Sequence, residues 1–178
     1  MEGVKEPQET LFAVMEIPIF AVVAIMSWLA KHLPHKEDVN IVLPHLWAIP
    51  LFSISTDKCK VFDVASFALN KVCRQTKPVD LEVLSPQQRN GMLVLPISAK
   101  GSDSFSETIA KAKSSLEDLG FDCQPIEPSI CIALHDKPLE CPSEPVVSFL
   151  GNQLWLASPA MEPPFGFKRI RQFLLSGA

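Results

Sequence analysis

Glycine is scarce in this chain, with seven in 178 residues, and none are grouped into a phosphate-cradling loop. That removes the glycine-loop class of phosphate binders. No Ser/His/Asp spacing signature and no paired-carboxylate motif is present, so two common hydrolytic designs lack their residues. No C-x-x-C pair occurs, and the five cysteines (Cys59, Cys73, Cys123, Cys131, Cys141) are odd in number. Reduced thiols in an intracellular compartment, cytoplasmic or nuclear, are the expectation. A basic excess is also missing. The net charge is −4, so no general attraction to nucleic acid or anionic membrane is implied. A basic cluster remains at Lys168, Arg169 and Arg171. A solvated face is one reading of it, and phosphate or RNA contact is the other. The first ten residues are net acidic with no small-residue cleavage site after them, which argues against a secretion signal. There is no low-complexity tract and no long linker, so the chain should form one body.

What is present is apolar: 47% of the residues are hydrophobic, enough for a folded core. Residues 11–30 could be mistaken for a membrane span. Glu16 and Pro18 interrupt that run, and a buried strand followed by a buried helix explains it better. No membrane partner is expected.

Two similar units stand out. The first is Leu11-Phe12-Ala13-Val14-Met15-Glu16-Ile17-Pro18, a helical stretch, then Pro44-His45-Leu46-Trp47-Ala48-Ile49. The second is Met92-Leu93-Val94-Leu95-Pro96-Ile97, a helical stretch, then Pro128-Ser129-Ile130-Cys131-Ile132-Ala133. A strand–helix–strand unit used twice predicts two similar lobes with a cleft between them, a natural ligand site. Residues 1–9 read as a loose tail. Strands are expected over 10–17, 40–54, 79–84, 92–98 and 129–134, the second of them interrupted at Pro44 or Pro50 by a bulge or bend. Helices are expected over 19–33, 61–75 and 104–119. The segment 85–90 reads as a polar loop, and 146–150 with 153–157 as a hairpin turning at Gly151-Asn152. Residues 167–175 read as a last strand or short helix. The first helix is apolar on nearly all sides, which predicts deep burial or a covering partner.

Strand residues two apart share a face. His45 and Trp47 should therefore point one way, and Ser129, Cys131, Ala133 and His135 should share a face on the second strand. His45 and Ser129 are the catalytic candidates. Trp47, Cys131 and His135 are the ligand-binding candidates. Each has a plainer reading: a structural histidine, a core indole, a serine bonded to backbone and a small buried thiol. His135 lies about 13 Å beyond Cys131 on an extended strand. That spacing argues against a shared zinc, and no metal or cofactor is expected.

The order and spacing resemble the 2H phosphoesterase superfamily, including its LigT-like (2′-5′ RNA ligase-like, cyclic phosphodiesterase-like) members. The resemblance covers residues 10–175. It implies an α+β fold, with two pseudo-symmetric lobes, each an antiparallel sheet with helices outside, in a single domain. In that family two His-x-Thr/Ser motifs flank a phosphodiester. One imidazole serves as base and the other as acid, and the hydroxyls hold phosphate. Here the first motif falls on His45-Leu46-Trp47 and the second on Ser129-Ile130-Cys131. Three of the four motif positions depart from the pattern. Acid–base assistance alone is worth ~10²–10⁴-fold. The resemblance therefore implies a catalytically degenerate protein: an interaction or assembly subunit with a protein partner, leaving room for RNA or nucleotide contact in the old cleft. The alternative is an RNA cyclic or 2′-5′ phosphodiesterase using His45 with a rearranged second site.

Overall fold

The computed structural model describes residues 10–33, 39–55, 61–100, 103–135, 140–161 and 165–177. The expected tail at 1–9 and Cys59 lie outside those residues. Both units appear as expected. In the first, strand β1 (Thr10–Met15) leads through Pro18 into helix α1 (Ile19–His32). The Pro18 carbonyl accepts the N–H groups of Ala21 and Val22, so the chain turns directly into the helix. The unit returns on strand β3 (Ile49–Ser55), antiparallel to β1. In the second, strand β6 (Met92–Ala99) leads to helix α3 (Ser104–Glu117), and strand β8 (Ser129–Leu134) returns antiparallel to β6. The two pairs even share a register shift, between Ala13 and Val14 and between Leu93 and Val94.

The remaining elements are β2 (Asn40–Ile41), α2 (Val61–Gln75), β4 (Val79–Val83), β5 (Gln87–Arg89), β7 (Asp122–Pro125), β9 (Val147–Gly151), β10 (Gln153–Pro159) and β11 (Phe167–Leu174). They complete two antiparallel sheets. One has the order β11-β10-β1-β3-β7, and the other β2-β8-β6-β4-β9, with β5 on β6. The first unit therefore sits in one sheet and the second in the other. The fold is α+β and two-lobed. β1 is central in its sheet, which explains why every residue after Thr10 in it is buried. β4 keeps its buried Val79, Leu81 and Val83 on one face, with Asp80 exposed on the other. Helices α2 and α3 pack side by side, α2 against β11 and α3 against β7. Helix α1 packs near β9 of the other sheet.

Several expectations need correcting. The interruption expected within 40–54 falls at Pro44, and it is a change of sheet and not a bulge or bend within one strand. β2 pairs with β8 in the second sheet, Pro44–Leu46 is a 3-10 turn, and β3 belongs to the first sheet. The segment carrying the first motif thus crosses between sheets, with the turn at the crossing. Residues 146–157 are not a hairpin. β9 pairs with β4 and β10 with β1, so this segment crosses between sheets as well. Gly151 makes that crossing possible, because a Cβ there would lie 2.5 Å from Met15 Sδ and 3.0 Å from Leu81 Cδ1. The loop expected at 85–90 contains β5. It forms a tight hairpin with β6 through Asn90 and Gly91, both at positive φ, 48° and 76°. β7 was not foreseen. The C-terminal segment resolves as strand.

Helix α1 is buried on one face only, through Ala21, Ile25 and Leu29. Its other face stays open although it carries Ile19, Phe20, Val23 and Met26, with Ile19 83% exposed.

Candidate functional site

The first motif is built by a proline. Pro44 presets the backbone for a turn, and Trp47 N–H closes back onto the Pro44 carbonyl at 3.1 Å. A turn has no strand alternation, so His45 and Trp47 do not share a face. The His45 residue is exposed, whereas Trp47 is 1% exposed. The indole Nε1 donates to the Val42 carbonyl at 2.8 Å. Trp47 therefore sits in the main core, with its polar atom satisfied five residues back.

Arg169 holds this turn in place. Its Nε and Nη2 donate to the two Glu16 carboxylate oxygens at 2.6 and 2.8 Å. Nη1 donates to the His45 carbonyl at 2.6 Å, and Nη2 also donates to the Trp47 carbonyl at 2.7 Å. One guanidinium thus ties β11, the β1–α1 junction and the first motif together, using the fork geometry that a lysine lacks. The sequence had grouped Arg169 with Lys168 and Arg171. A bulge in β11 separates the two arginines: Leu156 pairs with Arg171 and Ala157 with Arg169, leaving Ile170 out of register. Arg169 turns toward the motif and Arg171 toward α2. No local signal marks this clamp, since Glu16 and Arg169 stand 153 residues apart.

The second motif lies on the regular first half of β8. The register shift then leaves Ile132 without a partner residue on β6, so Ala133 faces away from Cys131, and the face expected to be common to Ser129, Cys131, Ala133 and His135 ends at Cys131. Ser129 stands opposite Pro96 and Cys131 opposite Val94. They are 8% and 3% exposed. The Cys131 Sγ donates to the Ala133 carbonyl at 3.8 Å. Burial pushes its thiol up to about 11, against a smaller lowering effect of that backbone bond. It is therefore a neutral thiol near pH 7. His135 follows the strand and is 4% exposed. Its N–H donates to the Gly91 carbonyl and its carbonyl accepts from Gln88 Nε2, so it is anchored on the β5–β6 hairpin. Its ring Nε2 has no partner among the described residues. The two motifs come near each other through backbone: Val42 N–H donates to Ile132 O at 2.9 Å, and β3 touches β8.

On the first sheet's other side a small cluster forms from Phe12, Val14, Ala48, Ala157 and Phe167, with Trp155 against it. The Trp155 indole N–H is buried there without a partner among the described residues. Sequence reasoning had not singled it out. Among the described residues no group of three or more His, Cys, Asp or Glu could hold a metal ion, and no helix is long and apolar enough to cross a membrane. Two cavities of about 490 Å³ lie on the helical side, one between α2 and β11 and one between α2 and α3.

The chain matches no protein-family model and no curated protein. Solved structures match it over nearly its whole length. LigT of E. coli in complex with NADP+ superposes with a TM-score of 0.73 at 15% identity, covering 95% of this chain and 99% of that one. TT0787 of Thermus thermophilus gives 0.71 at 16% identity, with the same coverage. A structure described as a phosphoesterase gives 0.69 at 17% identity, covering 94% and 99%. LigT has also been solved with 3′-AMP and with ATP. The chain has the LigT-like fold.

Proposed function

We propose that this chain uses the LigT-like fold without the family's hydrolytic chemistry, as an interaction or assembly subunit. The observation that carries the reading is Trp47. The position where the fold's enzymes hold phosphate with a hydroxyl carries an indole that is 1% exposed and already bonded to Val42 O. It offers phosphate neither a hydroxyl nor a free N–H. The other motif supports the same conclusion. Ser129 stands where an imidazole would be, and a hydroxyl does not titrate near neutrality. Cys131 stands at the second hydroxyl position as a buried neutral thiol. His45 alone keeps its group, and one imidazole cannot serve as base on one side of a phosphodiester and acid on the other.

The partner surface is the open face of α1. Ile19, Phe20, Val23 and Met26 lie on one stripe of that helix, all at least 47% exposed. Such a stripe on a surface helix marks a contact site. Nucleotide or RNA contact near His45 is compatible with this role, since LigT has been solved with 3′-AMP, ATP and NADP+.

The test is incubation with 2′,3′-cyclic nucleotides and 2′-5′-linked oligonucleotides, comparing the parent with His45→Ala. The expected result is no turnover by either protein. Turnover by the parent that His45→Ala abolishes would overturn the proposal in favour of a phosphodiesterase with a rearranged second site. For the partner role, Val23→Asp on α1 should abolish co-purification of a bound protein. A monodisperse parent that retains no partner counts against it.

A further inference from the structure

Helix α2 presents Asp63, Ser66, Phe67, Asn70 and Arg74 along one side, because residues three, four, seven and eleven apart share a helix flank. Ala65, Leu69 and Cys73 point instead into the core. Across from that flank runs β11, where the bulge at Ile170 has turned Arg171 toward the helix. Between them lies the cavity of about 490 Å³. That volume suits a small ligand.

The chemistry of its lining points to an anion. Neither Arg74 nor Arg171 has a carboxylate partner among the described residues. Arg171 lies over the Phe62 ring, Cζ 6.0 Å from its centroid, which supports the guanidinium from one side. Asp63 is the one acid of the lining among the described residues, so the cavity keeps a positive balance. Lys71 lies beside it, lining a smaller cavity that shares Phe67, Asn70 and Arg74. A second observation is independent of charge. Ser66 lines the cavity at 3% exposure, and its hydroxyl has no hydrogen-bond partner among the described residues. A buried hydroxyl without a partner is uncommon and calls for an explanation. A third is Phe67, a flat apolar ring that is 73% exposed at the cavity's edge. An exposed ring beside arginines is the arrangement on which a planar base stacks while its phosphate is held.

We propose that the α2–β11 cavity binds a small phosphorylated ligand with a flat ring, the chemistry of a mononucleotide. Arg74 and Arg171 hold the phosphate, the Asn70 amide and Ser66 hydroxyl complete its donors, and the ring lies against Phe67. The site is separate from the two motifs, and it does not depend on whether they retain any activity.

The experiment is calorimetric titration of the whole chain with AMP, adenosine and inorganic phosphate. AMP should bind saturably, and adenosine and phosphate should each bind at least tenfold more weakly. Arg74→Gln and Arg171→Gln should each weaken AMP binding tenfold or more. Phe67→Ala should weaken AMP while leaving phosphate unchanged. Both arginines lie on the surface, and thermal melting checks that the variants fold. His45→Ala reports binding at the first motif instead, and Lys113→Gln, a cation on α3 outside the cavity, should bind AMP as the parent does. Absence of AMP binding at millimolar concentration would overturn the proposal. So would binding that survives both arginine substitutions, or binding lost in His45→Ala alone.

Discussion

Replacing Arg169 by alanine removes four hydrogen bonds at once, two to Glu16 and two to the carbonyls of His45 and Trp47. The pair is only partly screened, with the Arg169 and Glu16 side chains 20% and 22% exposed. A fully buried pair broken on one side costs about 3–5 kcal/mol, and an exposed pair about 0–1 kcal/mol. Glu16 and the freed carbonyls regain some water, but each lost bond to the charged donor is worth about 1.5–3 kcal/mol net. The expected loss for Arg169→Ala is therefore about 2–4 kcal/mol, or roughly 5–15 °C in Tm for a domain of this size. Arg169→Lys should recover little of it, because an ammonium cannot span a carboxylate and two carbonyls together. Urea and thermal melting of Arg169→Ala, Glu16→Ala and the double variant give the coupling, expected at about 1–3 kcal/mol. A loss below about 0.5 kcal/mol for Arg169→Ala, or strictly additive single effects, would refute the clamp.

Trp47→Thr restores a hydroxyl to the first motif but empties an indole from the core. It should cost about 3–5 kcal/mol and yield no phosphodiesterase activity, measured by urea melting and cyclic-nucleotide turnover. Gly151→Ala puts a methyl into Met15 and Leu81 and should cost about 1–3 kcal/mol. Pairing it with Met15→Ala should not add fully, because the same sulfur is removed. Burial raises the thiols of Cys73, Cys123 and Cys131 from the ordinary 9.0 to about 12, 11 and 11. Above pH 9 the unfolded chain loses these protons while the native chain keeps them, so stability should fall as pH rises from about 9 toward 11–12. A thiol reagent at pH 8 should leave these three unmodified until urea is added. Stoichiometric labelling of all three in the native state would contradict their burial.

The doubled unit was legible because each copy is a local pattern: an apolar strand, a proline and a helical stripe. Helices α1, α2 and α3 and strands β1, β4, β6 and β8 carry that pattern in their own residues. The missed elements do not. β7, Asp122-Cys123-Gln124-Pro125, has three exposed residues out of four and is a strand only because β3 offers it an edge. The β9–β10 segment looked like a hairpin because two apolar runs flank Gly151-Asn152. Which sheet each run joins is decided by β4 and β1, far away in sequence. At the site, strand alternation failed at His45 and Trp47 because Pro44 starts a turn. The departures from the motif were visible in the residue types. The burial of Trp47 and the Arg169 clamp depend on tertiary contacts and were not.

The bulge at Ile170 gives β11 two jobs. In a regular strand Arg169 and Arg171 would share a face. With one extra residue opposite Leu156 and Ala157, Arg169 reaches Glu16 and the first motif while Arg171 reaches α2. A deletion experiment follows from that geometry. Removing Ile170 makes Arg169 and Arg171 adjacent, and adjacent strand residues still face opposite ways, so both contacts and every pairing on β10 are kept. Ile170 is 45% exposed, so little core is lost with it. The deletion should fold with a loss of about 1–2 kcal/mol and retain the Arg169–Glu16 coupling. Removing Gln172 instead leaves the bulge and shifts every residue beyond it by one. Either Phe173 leaves the core or Arg171 leaves α2, and the loss should exceed about 3 kcal/mol. Urea melting of the two deletions separates the cases. Equal losses would mean that the bulge does not set the two faces.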